Sequence, residues 1–153
     1  MEFQCLRWEQ LPGIALYMDQ VLLVLNQALE PLGRPEEPVV TATMINNYVK
    51  MKLAAPAVKK KYDRDHMARF IMICLMKKVL SMAEIAAVLE RLLADRSLEE
   101  GYGLFCAELE VRLASPEGRA TPACPPDLAA AVRAVACKIL LEQMLRQSIA
   151  PET

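Results

Sequence analysis

The chain has 153 residues, 54% of them hydrophobic, 24% charged and only 5% aromatic, with a formal net charge of −1. That length suits one domain, or one domain with an appendage, around a buried core, and a composition rich in Leu, Ala, Met and Val points to helices rather than sheets. It excludes a transmembrane helix, because the longest apolar run, FIMICLM at 70–76, falls far short of the roughly 18 residues that a span needs.

In chain order, WEQLPG at 8–13 is punctuated by Pro12 and Gly13 and reads as an extended or turn segment. YMDQVLLVLNQAL then sets Met18, Val21, Leu22, Leu25 and Leu29 at helical spacing, which predicts a first amphipathic helix over about 16–30. PLGRPEEP at 31–38 ends it with prolines and a glycine. Thr41 or Thr43 is placed to N-cap a short second helix that ends near Met51, and AAPAVKKKY forms a basic loop around Pro56. A third helix, capped by Asp63 or Asp65, runs to about Val79, with Met67, Phe70, Ile71, Cys74 and Leu75 as its buried side.

Ser81 and Glu84 form a capping box ahead of a fourth helix, whose Ile85, Val88, Leu89 and Leu92 face inward. The fifth, Ser97 to Ala114, carries Tyr102, Phe105, Leu109 and Leu113 and is weakened early by Gly101 and Gly103. A proline-rich connection, SPEGRATPACPP, leads to a last helix capped by Asp127. Its apolar face of Leu128, Val132, Val135 and Ile139 widens to Leu140, Leu141, Met144 and Leu145. So wide a face wants more partner surface than one neighbouring helix supplies, and the expectation is a homodimer through the C-terminal helices, with packing inside the same chain as the other reading. The expected division is 8–95 as the principal domain and 96–150 as a C-terminal helical segment for dimerisation or ligand binding.

Catalytic chemistry finds no foothold. The five cysteines are odd in number and never form a C-x-x-C pair, so no disulfide framework or metal site is expected. Cys74 and Cys137 lie in apolar runs and read as small buried hydrophobes. His66, the single histidine, reads as a first-turn helix residue. With no paired carboxylates, phosphate loop or nucleophile–base pair, the expectation is neither an enzyme nor a cofactor protein. No signal-peptide pattern opens the chain, so the expected location is the cytoplasm, off the membrane.

Charge is unevenly spread. Residues 41–78 hold nine Lys or Arg against two Asp, a local balance of +7, while the rest of the chain sums to −8. A basic block of this kind is the electrostatic footprint of a nucleic-acid site, although a solvated face gives the same count. Within it, TATMINNYVKMKL at 41–53 sets Thr43, Asn46, Asn47 and Lys50 in one helical stripe, opposite Met44, Ile45, Tyr48 and Val49. Asparagine is a poor helix former, but its carboxamide pairs bidentately with the major-groove edge of adenine. Thr41 and Thr43 suit a phosphate at the helix start, and Lys50, Lys59, Lys60, Lys61 and Arg64 suit phosphates along the backbone. The expected partner is therefore double-stranded DNA.

This order of parts resembles the winged helix-turn-helix of the MerR family over Thr43 to Ile85. The resemblance rests on Ile45 with Tyr48, Leu53 with Pro56, Lys60 with Tyr62, and the helices beginning at Asp63 and Ser81. LPGIALYMDQ, TATMINNYVKMKL, KKKYDRDH and LSMAEI together are more closely similar to a bacterial family of Firmicutes known as domain of unknown function 1836, over about Trp8 to Leu113. The resemblance implies an all-α, MerR-like winged fold with a small basic wing and added C-terminal helices. Ile45, Tyr48, Val49, Leu53 and Tyr62 would anchor its recognition helix, 41–51, and the protein would act as a DNA-binding transcriptional regulator. It names no effector. Three departures stand out: Lys52 replaces the turn glycine, the connection at 31–38 is long, and Leu80 rather than Gly precedes Ser81. The alternative is a helical protein–protein interaction module on the same scaffold, its basic block merely solvated.

Overall fold

A computed structural model describes residues 1–34 and 36–149. It is all-helical: α1 (Met18–Leu29), α2 (Ala42–Lys50), α3 (Arg64–Met76), α4 (Met82–Leu93), α5 (Leu98–Ala114) and α6 (Pro126–Ile149), with short 3-10 turns at Trp8–Gln10 and Glu30–Leu32. Among the described residues β-structure is limited to isolated bridges, and no helix is long and apolar enough to cross a membrane.

Local chemistry sets the helix starts. The side chains of Thr41, Asp63, Ser81 and Ser97 each accept the backbone N–H three residues on, and Ser81 with Glu84 completes a capping box. Each cap satisfies an amide that the first turn leaves without a helical partner. Glu84 accepts the Ser81 N–H in return at 2.8 Å, and the hydrogen bonds from Ser81 hold its carboxyl below the ordinary glutamate range. The last helix departs from expectation. It begins at Pro126, one residue before Asp127, because a proline at the first helical position loses no hydrogen bond.

α3 is the axis of the molecule. Sequence spacing predicts one buried side, yet Ala68, Met72, Ile73 and Met76 are as deeply buried as Met67, Phe70 and Leu75. The reason is tertiary: α1, α5 and α6 all pack against α3, so every residue from Phe70 to Met76 is buried, and only Arg64, Asp65 and Arg69 nearer its start reach solvent. One cluster of buried residues runs from Cys5 to Ile139. Gly101, expected to weaken α5, lets it approach α4, since a Cβ there would stand 2.9 Å from Leu93 Cδ2 and 3.2 Å from Leu92 Cγ. On α6, Leu128, Val132, Val135 and Ile139 are buried, whereas Leu141, Met144 and Leu145 are 49%, 62% and 51% exposed. Cys137, expected inside, is exposed, because about 100° of rotation per residue puts it opposite the buried Val135 and Ile139.

The long connection between α1 and α2 is clasped by Asn26. Its amide donates to Val40 O at 3.0 Å and its carbonyl accepts the Val40 N–H at 3.0 Å. The pair of bonds imitates one rung of a sheet and fixes where α2 begins.

α2 ends in a Schellman turn. Leu53 N–H donates to Tyr48 O at 2.9 Å and Lys52 N–H to Val49 O at 3.0 Å. This geometry needs a left-handed residue, and Lys52 supplies it with φ 62°. Lysine in that conformation costs about 1 kcal/mol relative to glycine. Lys52→Gly is therefore expected to raise the unfolding free energy by about 1 kcal/mol. Urea titration checks this; a loss of stability would mean that the Lys52 side chain holds the turn.

Candidate nucleic-acid interface

α2 has two chemically distinct sides. Ile45 and Tyr48 are fully buried and Val49 is half-buried, which seats the helix on the core. Tyr48 is held from two directions. Its hydroxyl donates to Cys74 Sγ at 3.8 Å, and Lys77 Nζ stands 5.4 Å from its ring centroid. Burial pushes the Cys74 thiol up to about 12, so this sulfur is an uncharged acceptor at neutral pH.

The other side presents Thr43, Asn46 and Lys50, all exposed, with Asn47 half-buried at the edge. None of these four side chains has a hydrogen bond or ion pair among the described residues. Thr41 lies at the head of the stripe, but its hydroxyl already accepts Met44 N–H at 3.3 Å as the cap.

Beyond Lys52 the chain dips into the core at Leu53 and Ala54 and re-emerges as a hairpin. Val58 and Lys61 exchange both backbone hydrogen bonds, at 2.9 and 3.0 Å. The two residues between them, Lys59 and Lys60, have φ 52° and 66°. Two positive φ values in a two-residue loop make a type I′ turn, the geometry that matches strand twist and that normally selects Asn-Gly. Here it carries two lysines, both exposed and without a salt-bridge partner among the described residues. Lys61 stands 5.0 Å above the exposed Tyr17 ring.

Several contacts fix the hairpin's base. Tyr62 and Leu16 exchange backbone hydrogen bonds, both at 2.8 Å, which ties the hairpin to the entrance of α1. The Tyr62 ring packs edge-on against His66 and Phe70, at centroid separations of 5.2 and 5.6 Å. His66 is a first-turn residue of α3, and its ring does more than cap. Nε2 lies 3.0 Å from Ala55 O, and a carbonyl partner requires that nitrogen to donate. Nδ1 lies 2.8 Å from Asp63 Oδ1. For Asp63, desolvation works upward, but hydrogen bonds from the His66 backbone and ring outweigh it and leave the carboxyl below its ordinary range.

The predicted contact residues thus divide. Asn46, Asn47, Thr43, Lys50, Lys59 and Lys60 have no side-chain hydrogen bond or ion pair among the described residues, and Lys52 joins them. Arg64 is not presented with them. Its guanidinium donates to Leu11 O at 3.1 Å and lies 5.9 Å from the Trp8 ring, so it secures the N-terminal segment instead. Arg69 likewise turns inward, toward Leu53 O at 3.4 Å.

Residues 6–105 match the family described as Domain of unknown function (DUF1836). The chain belongs to this family. No curated protein and no solved structure matches it. In this DUF1836 chain the matched segment contains α1 to α4, the lysine hairpin and α5 as far as Phe105, while α6 lies beyond it.

Proposed function

We propose that the chain binds double-stranded DNA as a dimeric transcriptional regulator of the MerR-like winged helix-turn-helix kind. In this reading α2 enters the major groove and the lysine hairpin is the wing on the phosphates. The observation that carries it is the stripe of Thr43, Asn46, Asn47 and Lys50, whose side chains have no polar partner among the described residues, followed along the chain by Lys52, Lys59 and Lys60 in left-handed backbone conformations. A merely solvated helix gains from Glu, Ala or Lys at such positions, and a merely solvated turn gains from Asn-Gly. Both departures place groups that adenine edges and phosphates recognise. The exposed Leu141, Met144 and Leu145 of α6 supply the surface through which a second copy would pair.

Fluorescence anisotropy with a duplex selected from random sequence tests this. Affinity should fall roughly three- to tenfold for each doubling of salt, the slope expected when two to four phosphates are neutralised. Asn46→Ala with Asn47→Ala should flatten the preference among sequences, whereas Lys60→Ala should weaken all duplexes alike. Binding that ignores salt, or none at low ionic strength, rejects the proposal and favours the protein-interaction module.

A further inference from the structure

Behind α2, on the side away from the polar stripe, lies a cleft of about 240 Å³ where four parts of the chain converge. Residues 33–34 and 37–39 of the connection, Met44 of α2, the C-terminal end of α3 and Glu142 of α6 form its walls. Val39, Met44 and Cys74 contribute an apolar floor. Lys78 and Glu142 pair at 3.2 Å, with side chains 17% and 19% exposed, and so neutralise one another. What remains at the rim is Arg34 and Lys77 against Glu37, an excess of one positive charge over an apolar base. That combination suits a small organic anion, with a carboxylate for Lys77 and Arg34 and an apolar body for the floor. The volume lies below the roughly 300–1,000 Å³ of sites for drug-sized ligands, so the guest must be small.

Two of the lining residues are also the two that hold Tyr48. Cys74 accepts the Tyr48 hydroxyl, and the Lys77 ammonium sits over its ring. Tyr48 in turn is wholly buried beneath α2. An anion that engages Lys77 competes with the ring for its charge, so occupancy of the cleft is felt at the anchor of α2.

We infer that this cleft is a binding site for a small organic monocarboxylate, which draws Lys77 from the Tyr48 ring and so acts on the seating of α2. The site itself does not depend on DNA binding; only the consequence for duplex affinity rests on that reading.

Amide and aromatic NMR on the full chain, titrated with benzoate and separately with methyl benzoate, tests the site without DNA. Benzoate should shift the amides of Val39, Met44 and Lys77 together with the Tyr48 ring signals, saturating at millimolar concentration, on the order of what so small a ligand achieves. The uncharged ester should not. Lys77→Gln should weaken benzoate about tenfold, the loss of one charge-assisted hydrogen bond. Lys138→Gln, on the exposed side of α6, should leave it unchanged and serves as the control. Equal shifts from the ester, no saturable shift with benzoate, or undiminished affinity in Lys77→Gln would overturn the inference. Static Tyr48 signals with the amides saturating would overturn its coupling to α2. Neither result bears on whether α2 reads DNA, which the salt titration decides alone.

Discussion

Glu108→Ala is expected to destabilise the protein by about 3–5 kcal/mol, because it strands a buried charge. Glu108 is 0% exposed and Arg112, one helical turn on, is 3% exposed. Arg112 Nε donates to Glu108 Oε1 at 2.9 Å, and Thr121 donates to Oε2 from both its backbone N–H and its hydroxyl, each at 2.9 Å. Arg112 also donates to Gly118 O. One carboxylate and one guanidinium therefore hold both Gly118 and Thr121, in the connection between α5 and α6, against the core. Removing Glu108 leaves the guanidinium without its counter-charge and the Thr121 N–H without an acceptor, and it frees the connection at Thr121. Against a typical stability of about 5–15 kcal/mol that is a large fraction. Urea unfolding measures it. The double replacement Glu108→Leu with Arg112→Met should recover much of the loss, since no charge remains buried. A single-variant cost below about 1 kcal/mol would mean that water reaches the pair.

The same carboxylate fixes the sign of the pH dependence. Burial raises the Glu108 pKa, but the hydrogen bonds from Thr121 and Arg112, with the charge of Arg112, outweigh it and the net shift is downward. A carboxyl depressed in the folded state contributes stability that is fully present above the unfolded value, about 4.3, and is lost as pH falls through the folded value. Asp63 shifts in the same direction. The acid limb of the stability curve should therefore fall below about pH 4, and Glu108→Gln should make that limb shallower while lowering the neutral plateau.

Much of this fold was legible in the sequence because caps and spacing are local. Ser81 announces one helix start outright and Thr41 and Asp63 stand as one of two candidates at two more, and all three accept the amide three residues on; Ser97 does the same at a start that the sequence marks by spacing alone. The two-sided character of α2 follows from about 100° of rotation per residue. What escaped depends on partners distant in the chain. Nothing near 64–76 shows that α5 and α6 will cover the far side of α3. Glu108 with Arg112 looks like the solvent-facing i,i+4 pair common on helix surfaces; only folding reveals that both sit inside. Arg64 counts as basic in any tally, yet Leu11 and Trp8 engage its charge. The lysine turn was hidden for the opposite reason. Lys-Lys carries no turn signature, so the hairpin forms through Val58, Lys61 and the Leu16–Tyr62 bridge rather than through the preference of its own tip.

That last point separates stability from binding. Replacing Lys59-Lys60 with Asn-Gly gives the type I′ turn the residues it favours, and each lysine removed relieves about 1 kcal/mol of left-handed backbone cost. The variant is expected to be more stable by about 1–2 kcal/mol. If the hairpin lies on phosphates, the same change should weaken duplex binding on the order of tenfold to fiftyfold near physiological salt, and should lower the salt slope by about two contacts. Thermal unfolding and anisotropy on one preparation give both numbers. A variant that gains stability and keeps its affinity would show that the wing touches no phosphate, leaving α2 alone to carry the contact. A variant that loses stability would show that the lysine side chains, through packing like that of Lys61 over Tyr17, hold the turn themselves. Gain in one quantity with loss in the other is the result expected of a surface whose residues are set by what they bind rather than by how they fold.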